Sequence, residues 1–361
     1  MSLLNLANFS FPASHSDRNE WLDHFELLCC ISQEGSVSSH DVCDRLLDEN
    51  DNDPVDAART IGNEEDFPES LANHTQPEDL LEDEILNADV YGPLLSDRIT
   101  GKINAYFEDF KCRDRAYGED YPFVVEDNAI RLKNELNNLS QNQKLYVILL
   151  CSSVLRLASR SGTNKLGHYF EALCGPAFKR LLPPDSNCHF TGSGATDMCE
   201  EQIRGSFFAR ITKLCEILHL APAANFTRES AGKQNTGDGG IDWVGFFEFA
   251  DGQYSQPLFF GQCACGHDWI DKQFDTHPAK WKNYIQFCNT YLTYHFIPRH
   301  FREESLNWQN GLNIYDVVLI DRYRLINLLK PSPELCQIIN LYYTSLFAEL
   351  NQQQQSLSSF A

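Results

Sequence analysis

Hydrophobic positions recur at helical spacing through the first half of the chain. Apolar residues separated by three or four positions predict helices over residues 18–48 and across most of residues 96–185. The most apolar run, residues 145–157, is shorter than the roughly 20 residues that span a bilayer, so it indicates a buried helix. An amphipathic helix over residues 165–182 is interrupted by Gly175-Pro176, and two prolines end this block.

After residue 200 the pattern changes to short β-rich runs. A helix is predicted over residues 200–220, followed by β-rich runs at residues 241–249 and 256–263. The Ala-Asp-Gly-Gln sequence between these two runs favours a tight turn. The two runs are therefore predicted to form a β-hairpin.

The C-terminal part of the pattern completes an α/β arrangement. Pro278 opens a predicted helix that continues to Tyr291, and residues 314–320 form a short apolar strand. Asp321 can cap the helix that follows this strand. The order helix, strand, strand, helix, strand, helix predicts an α/β domain whose sheet is covered by helices.

These patterns divide the chain into four regions. Residues 1–95 are predicted to be a helical segment with an acidic linker at residues 48–85, and residues 96–185 a helical domain. Residues 186–345 make the α/β domain. Residues 346–361 are predicted to be a disordered tail because the segment is of low complexity and rich in glutamine.

The net charge of −22 is distributed unevenly along the chain. Residues 41–90 contain 17 acidic and 2 basic residues, which gives 2 − 17 = −15. Residues 200–330 contain 15 acidic and 13 basic residues, which gives 13 − 15 = −2. The acidity is therefore local and does not exclude nucleic acid as a partner of the C-terminal part.

Cysteine usage and the N-terminal sequence bear on the cellular compartment. The 13 cysteines are an odd number without framework spacing, which is typical of reduced thiols. The first residues lack the basic start and the apolar stretch of a signal peptide, and no run is long enough to span a membrane. We therefore expect a cytoplasmic protein without a membrane partner.

Two neighbouring strands of the predicted hairpin carry polar residues where a sheet interior favours apolar ones. Asp242 begins the first strand, after the glycine-rich residues 237–240, and Gln262 ends the second. A hairpin brings these positions near one another, so their oxygens can share one hard cation, with the carbonyl of Cys263 as a further ligand. Magnesium held in this way supports phosphodiester hydrolysis.

The segment Gly-Asp-Gly-Gly-Ile-Asp at residues 237–242, followed by Gln262-Cys263-Ala264, resembles the Mrr-type branch of the PD-(D/E)xK, or restriction-endonuclease-like, superfamily. In that branch a GDGGID turn, a hairpin and a QxK strand follow one another, and the segment at residues 318–325 resembles the closing strand and helix. The resemblance covers about residues 200–330. It implies a central mixed sheet flanked by helices.

The resemblance implies roles for individual residues of the site. Asp242 is the essential metal carboxylate, and Gln262 takes the Asp/Glu position. The preceding helix supplies a further carboxylate, for which Glu201 and Glu216 are candidates. Three residues shape the turn or act from the outer shell of the metal: Asp238, Gly239 and Gly240.

The chain departs from the family pattern at the lysine position, which is occupied by Ala264. In the family this lysine positions the attacking water and offsets negative charge in the transition state. Lys272 is the favoured replacement, and Lys280 and Lys282 are weaker ones. An inactive domain that binds nucleic acid is the other interpretation.

Basic residues near the hairpin are candidates for contacts with phosphate groups. Lys280 and Lys282 lie among aromatic residues, an arrangement that favours nucleic-acid binding as much as a packed core. A second basic group is formed by His295, Arg299, His300 and Arg302, for which an exposed loop is the alternative interpretation. The Cys-x-Cys-x-His sequence at residues 263–267 fits buried thiols better than a zinc site.

Function follows from these residues as a hypothesis. We expect an endonuclease that hydrolyses DNA phosphodiester bonds with Mg²⁺ or Mn²⁺, acting with a protein partner or as a homo-oligomer. By analogy, such domains resemble effectors of bacterial restriction and anti-phage defence. The alternative is a degenerate nuclease fold that binds nucleic acid or a partner protein without cutting.

Overall fold

The chain divides into two structural units. A computed structural model describes residues 3–4, 9–12, 18–49, 82–192, 202–232, 239–329 and 331–357. Residues 1–3 and 144–344 make one unit, here called the sheet unit, and residues 4–143 and 345–361 make the other, called the helical unit. The division therefore falls at residue 144 and not at the predicted boundary near residue 185. The reason is that the helix before residue 185 packs on the large sheet.

The described residues up to residue 138 are mainly helical. Its elements are α1 (Arg18–Ile31), β1 (Ser36–Ser38), α2 (Ser39–Glu49), α3 (Glu82–Tyr117), β2 (Phe123–Val125) and β3 (Ala129–Leu132), with short 3₁₀ turns at Gly118–Asp120 and Leu136–Asn138. The three strands form an antiparallel sheet in the order β1-β3-β2. This sheet was not predicted, because strands of three or four residues are too short to show a two-residue alternation.

The core of the helical unit contains a buried ion cluster. The Arg113 guanidinium on α3 donates to Asp23 at 2.7 Å and to Glu26 at 2.8 Å, both on α1. The Tyr121 hydroxyl also donates to Glu26 at 2.7 Å. All three charged side chains are at most 2% exposed. The cluster satisfies these charges inside the core, and removing one member leaves an uncompensated buried charge.

From residue 141 onward helices alternate with strands. The helices are α4 (Gln141–Ser153), α5 (Arg160–Leu181), α6 (Phe207–Ile217), α7 (Arg228–Gly232), α8 (Trp269–Lys272), α9 (Pro278–Trp281), α10 (Arg322–Leu328) and α11 (Pro333–Leu357). The strands are β4 (Asn187–Phe190), β5 (Ala221–Pro222), β6 (Trp243–Phe246), β7 (Leu258–Cys263), β8 (Ile285–Gln286), β9 (Leu292–Phe296) and β10 (Val318–Ile320). Short 3₁₀ turns occur at Leu155–Leu157, Gln273–Thr276 and Gly311–Asn313.

The sheet unit is built on a five-stranded mixed sheet with the order β10-β9-β7-β6-β4. β4, β6 and β7 are antiparallel neighbours, whereas β7, β9 and β10 run parallel. The β6–β7 hairpin is the one predicted from the sequence. The coarse prediction of an α/β fold with a mixed sheet is confirmed.

Helix α5 approaches one face of this sheet closely because glycines stand at the contacts. A β-carbon built at Gly175 of α5 would lie only 2.4 Å from the Trp243 ring on β6. On the sheet side, β-carbons at Gly245 and Gly261 would meet Leu182 and Phe178 of the helix segment at 2.6 and 3.1 Å. Side chains larger than hydrogen at these places would push the helix away from β6 and β7.

The opposite face of the sheet is covered by a separate apolar cluster. Its members include Ile211 and Leu214 of α6, Val244 of β6, Phe260 of β7 and the ring of Trp281. These side chains are almost completely buried. Helices therefore cover both faces of the sheet.

Several predicted elements differ from the observed ones. α5 runs through Gly175-Pro176 without a break, and α6 begins only at Phe207, after a non-helical stretch that starts at residue 202. The helix predicted from Pro278 to Tyr291 ends at Trp281 and is followed by strands. The predicted tail is helical to Leu357. In contrast, Asp321 caps α10 as predicted, accepting from the amide of Arg324.

Other predictions concern regions about which the structure says less. Most of the acidic linker, residues 50–81, lies outside the described residues. Within the described ranges, no helix combines the length and the apolar content needed to cross a membrane. The 12 cysteines in the same ranges are all free thiols.

The close contact of α5 with Trp243 yields a prediction about stability. Alanine normally stabilises a helix relative to glycine, by up to about 1 kcal/mol. At Gly175 the added methyl group would collide with Trp243, so Gly175→Ala is expected to lower the free energy of unfolding by about 1 to 3 kcal/mol. Urea denaturation measures the difference.

Gly167 on the same helix is the matched control. A β-carbon at Gly167 has no heavy atom within 4 Å, so Gly167→Ala should leave the unfolding free energy unchanged or raise it. Equal effects of the two substitutions would contradict the proposed role of Gly175.

Candidate functional site

Asp242 is held at the start of β6 by main-chain hydrogen bonds to β7. Its amide donates to the carbonyl of Gly261 at 2.9 Å, although Gly261 is the register partner of Trp243. Asp242 and Trp243 thus both lie opposite Gly261, the two-against-one pattern of a β-bulge. A bulge turns a side chain out of the regular alternation of the strand. The Asp242 carboxylate accepts from the amide of Cys263 at 2.7 Å. Asp242 is therefore hydrogen-bonded to the residues on either side of Gln262. It is 6% exposed.

The segment after β4 supports Asp242 from the other side. The amides of Thr191 and Gly192 donate to the Asp242 carbonyl at 2.8 and 3.2 Å. A β-carbon at Gly192 would lie 3.0 Å from Oδ1 of Asp242, so glycine permits the close approach of this loop. The main chain around Asp242 is therefore fixed by hydrogen bonds on both neighbouring strands.

Gln262 is buried near the end of β7, with 3% of its surface exposed. Its Nε2 donates to Oδ2 of Asp275 over a long distance of 3.4 Å. Its Oε1 is buried and has no hydrogen-bond partner among the described residues. A buried acceptor without a donor is costly, and a ligand that takes this oxygen would remove the cost.

Asp275 joins the site although the sequence analysis missed it. Its Oδ1 accepts from Nζ of Lys280 at 2.6 Å, and Lys280 also donates to the Gly239 carbonyl at 2.9 Å. A β-carbon at Gly240 would lie 2.5 Å from the Asp275 β-carbon. The glycine turn, whose φ angles are +76° and +90°, thus permits Asp275 and Lys280 to pack against it. No periodic pattern marks Asp275; its nearness to the candidate Lys280 was the available signal.

Thiols and a second carboxylate lie between α5 and β7. Burial raises the pKa of Cys263 and of Cys265 well above the ordinary value, and it also raises the pKa of Cys174 on α5. The negative charges of Asp242 and Glu171 add to this shift at Cys174 and Cys263. In this environment the thiols are protonated at neutral pH and pack as small apolar groups. Glu171 is the carboxylate of α5 whose negative charge raises the pKa of these thiols.

Ala264, at the lysine position of the family pattern, is fully buried. It packs in an apolar cluster with Trp269, Ile297, Phe301 and Leu319. The space that a lysine side chain would need is therefore filled by aromatic and aliphatic groups. An ammonium group there would also be desolvated.

Lys272, the favoured replacement for the missing lysine, is placed elsewhere. Its Nζ pairs with Asp268 at 3.3 Å, one helical turn away. Its charge also acts on Cys265 and on the buried His295. Among the described residues its contacts do not include Asp242 or Gln262, because α8 directs the side chain back along its own helix. Lys280 is the lysine that contacts the site.

The candidate carboxylate Glu216 also lies away from the site. It is exposed on α6 and pairs with Lys213 at 3.3 Å, within the same helix. The sequence pattern could not distinguish the exposed face of α6 from a face turned towards the site. Glu201 and Asp238 lie outside the described residues.

The predicted basic patch is mostly structural. Arg302 is bound by both oxygens of Asp321, at 2.8 and 3.1 Å, and lies 4.2 Å from the centre of the Trp308 ring. Arg299 is 6% exposed, and its guanidinium contacts His267 at 3.4 Å. Arg302 is thus paired inside the fold, and Arg299 is buried, so neither presents an exposed charge to phosphate. Lys282 is exposed, as a phosphate contact requires.

His295 is fully buried on β9, where it is the register partner of Gln262. The pKa of its imidazole is lowered to about 3, mainly by burial; a main-chain contact with Trp269 opposes this shift, and the charge of Lys272 adds to it. The ring is therefore neutral at physiological pH. This excludes His295 from the predicted basic patch and adds a second buried polar side chain beside Gln262.

The side chains at this end of the sheet provide some of the oxygen ligands that a hard cation needs. Among the described residues no group of three or more His, Cys, Asp or Glu side chains is arranged to hold a metal ion. The oxygens available are the Asp242 carboxylate and the unsatisfied Oε1 of Gln262. Magnesium is commonly held by one or two carboxylates together with water and substrate phosphate, so a small donor set of this kind fits it.

The comparisons with known proteins add no further assignment. No family model, no curated protein and no solved structure matches the chain. The function is therefore argued from the geometry of the site.

The packing of Ala264 predicts that lysine cannot be restored there by one substitution. Ala264→Lys is expected to lower the free energy of unfolding by at least about 2 kcal/mol, because it overfills the cluster and buries an ammonium group. Thermal and urea denaturation measure this loss. Ala279→Lys is the control on an exposed position of α9, where the change should stay within about 0.5 kcal/mol.

The low pKa of His295 predicts a pH dependence of stability. In the unfolded chain the ring takes up a proton near pH 6.5, but in the folded protein only near pH 3. Stability contributed by the neutral ring is therefore complete above pH 6.5 and is lost as the pH falls towards 3. The slope reaches about 1.4 kcal/mol per pH unit. His295→Leu should flatten the melting temperature between pH 6.5 and 4.5.

His40 provides the control for this pH experiment. Its side chain is 83% exposed, so His40→Leu should leave the pH profile of the melting temperature unchanged. Parallel profiles for wild type and His295→Leu would contradict the assignment of the pH dependence to His295.

Proposed function

We propose that the sheet unit is a metal-dependent nuclease domain of the PD-(D/E)xK type, Mrr-like branch, that hydrolyses phosphodiester bonds in DNA. This proposal rests on the buried Oε1 of Gln262, which has no hydrogen-bond partner among the described residues. Asp242 is hydrogen-bonded to Gly261 and to Cys263, the residues on either side of Gln262. A buried acceptor and a buried carboxylate on neighbouring strands are oxygen donors of the kind that hard cations take as ligands.

The order of elements supports this proposal. The glycine turn is followed by the β6–β7 hairpin, which carries Asp242 at its start and Gln262 at its end. β10 and α10 follow in the place that the family resemblance assigns to a closing strand and helix. The described part of the glycine turn, the hairpin, β10 and α10 thus follow one another in the order on which the resemblance rests.

Asp242 and Gln262 would hold Mg²⁺ or Mn²⁺ through their side-chain oxygens, with the Cys263 carbonyl as a further donor. When bound, the cation supplies a positive charge that polarises the phosphate and lowers the pKa of water. Asp242 is suited to this task because its main chain is fixed and one oxygen already accepts an N–H. Glu171 on α5 is the candidate for an additional carboxylate, in place of Glu216.

Lys280 takes the role that the family assigns to the lysine of the QxK strand. Its Nζ is held by Asp275 and by the Gly239 carbonyl, next to the amide of Gln262. From there the ammonium group can donate to a phosphate oxygen and offset charge that develops in the transition state. Asp275 is 41% and Lys280 29% exposed in their side chains, so the site opens to solvent on this side.

A domain that binds nucleic acid without cutting it is the second candidate. Two observations favour it: the burial of Ala264 in an apolar cluster, and the absence of a three-residue metal group among the described residues. A protein of this kind would retain contacts to phosphate without a cation. The expected role in bacterial restriction or anti-phage defence, in the cytoplasm and with a protein partner or a second copy, remains a prediction from the resemblance.

Plasmid nicking in the presence of Mg²⁺ tests the enzyme proposal. Asp242→Asn keeps the size of the side chain but removes its charge, and Lys280→Met removes the ammonium group. Each is expected to lower the nicking rate by about 100-fold or more. Equal nicking by wild type and Asp242→Asn would refute the nuclease assignment.

Two lysine variants serve as matched controls for Lys280. Lys272→Met and Lys282→Met remove the same charge close by in the sequence, but Lys272 pairs with Asp268 and Lys282 is exposed. We expect a loss of less than about tenfold for each, because phosphate contacts of exposed lysines are screened by salt. A larger loss for Lys272 than for Lys280 would contradict the choice of Lys280.

A further inference from the structure

Two exposed aromatic rings stack on one another beside the candidate site. The rings of Phe274 and Tyr315 lie 5.4 Å apart at an angle of 28°. Phe274 is 51% and Tyr315 42% exposed, and the nearby Leu312 is 83% exposed. We call the two stacked rings the ring platform. Large apolar side chains exposed together in this way are typical of a binding surface.

The ring platform is held in place by a buried glutamine. Gln273, which precedes Phe274, is only 2% exposed. Its Oε1 accepts from the amide of Tyr315 and its Nε2 donates to the carbonyl of Asn313, both at 2.9 Å. The two chain segments that carry the rings are thus joined through one side chain. The rings are therefore preorganised, which lowers the entropy lost when a ligand stacks on them.

The loop that carries Tyr315 has a fixed conformation of its own. Asp316 has a φ angle of +50°, and its carboxylate lies 3.8 Å from the His277 imidazole. The side chain of Asn310 caps the short turn before Tyr315 by accepting from the Leu312 amide at 3.0 Å. The exposure of Tyr315 is therefore part of a defined loop structure.

The ring platform adjoins the catalytic groups proposed above. Phe274 is the neighbour of Asp275 in the chain, and Asp275 binds both Gln262 and Lys280. Phe274 of the ring platform and the Asp275–Lys280 pair are thus carried by one short segment, residues 274–280.

We propose that the ring platform binds an unpaired nucleobase of the DNA strand that enters the site. This inference rests on the proposed function and specifies its substrate as DNA with a single-stranded or locally unpaired segment. Aromatic side chains offer a flat face to a base, and stacking of this kind tolerates any sequence. A paired base inside a duplex does not present its face, because its neighbours cover it.

Charge in this region is compatible with the assignment. Asp275 is paired with Lys280, and Asp268 with Lys272, so these carboxylates do not stand alone against phosphate. Lys282 on the following segment is exposed and can approach the strand backbone. The rings supply base contacts and the lysines supply phosphate contacts, as single-strand binding requires.

Fluorescence anisotropy with labelled oligonucleotides tests the inference on the full chain. Ca²⁺ replaces Mg²⁺ so that the strand stays intact. The probes are an oligothymidine, an abasic strand of equal length and a duplex. Wild type is expected to bind the oligothymidine about tenfold more tightly than the abasic strand. The double variant Phe274→Ala, Tyr315→Ala should lose this difference and leave binding of the abasic strand unchanged.

Two further double variants control this experiment. Phe249→Ala, Tyr254→Ala removes two aromatic side chains of similar exposure, 58% and 61%, from the turn of the β6–β7 hairpin, and it should behave as wild type. Phe274→Leu, Tyr315→Leu keeps apolar bulk but removes the stacking faces, and it should lose the preference for bases. Far-ultraviolet circular dichroism verifies that each variant is folded.

Several outcomes would overturn the ring platform assignment. One is that the Phe274/Tyr315 variants bind oligothymidine as tightly as wild type. Another is that the hairpin-turn variant has the same effect as the Phe274/Tyr315 variants. A third is that wild type binds the duplex more tightly than the oligothymidine. A change in the sedimentation of the free protein caused by the variants would show instead a contact between two copies. Failure of the nuclease proposal has a different signature: wild type shows base-dependent binding but no Mg²⁺-dependent cutting, or Asp242→Asn cuts equally well.

Discussion

The close approach of α5 to the sheet is the constraint on which the site depends. The approach is possible because Gly175 faces the Trp243 ring and Gly261 faces Phe178. Trp243 directly follows Asp242 in the chain, and Gly261 directly precedes Gln262. The two contacts that set the distance of the helix from the sheet therefore also fix the main chain next to both proposed ligands. A change in this packing would move the site without touching any of its polar groups.

A second constraint acts on the charges at this end of the sheet. The Asp242 carboxylate accepts an N–H of β7, Asp275 binds Lys280, and Asp321 binds Arg302. Asp275 and Asp321 are thus each paired with a basic side chain, whereas Asp242 keeps its charge and only accepts a hydrogen bond. Arg302 is not on the surface because its guanidinium is paired with Asp321, which caps α10. Basic residues counted along a sequence therefore overstate the positive surface of the folded protein.

Local signals predicted the parts of the fold that depend on neighbours in sequence. The β6–β7 hairpin follows from its alternating pattern and turn, and the cap at Asp321 from a single residue type. β8 lies inside the segment predicted as a helix, and β9 was not predicted, because the buried Thr293 and His295 interrupt the expected apolar alternation. Asp275 was missed although its partner Lys280 lies only five residues away, since its other partner, Gln262, belongs to a different element. The choice of Lys280 over Lys272 likewise required the direction of each side chain, which periodicity does not give.

The burial of Ala264 has a consequence for how this chain can change. Its methyl group lies among Trp269 and Leu319, whose side chains occupy the volume beside it. Placing a lysine at residue 264, next to β7, in place of Lys280 on α9 would require coordinated replacement of several neighbours. Each intermediate sequence would be less stable than the present one. Substitutions at residues 264 and 280 are thus expected to be interdependent. The two arrangements are separated by a barrier in sequence space that single mutations do not cross.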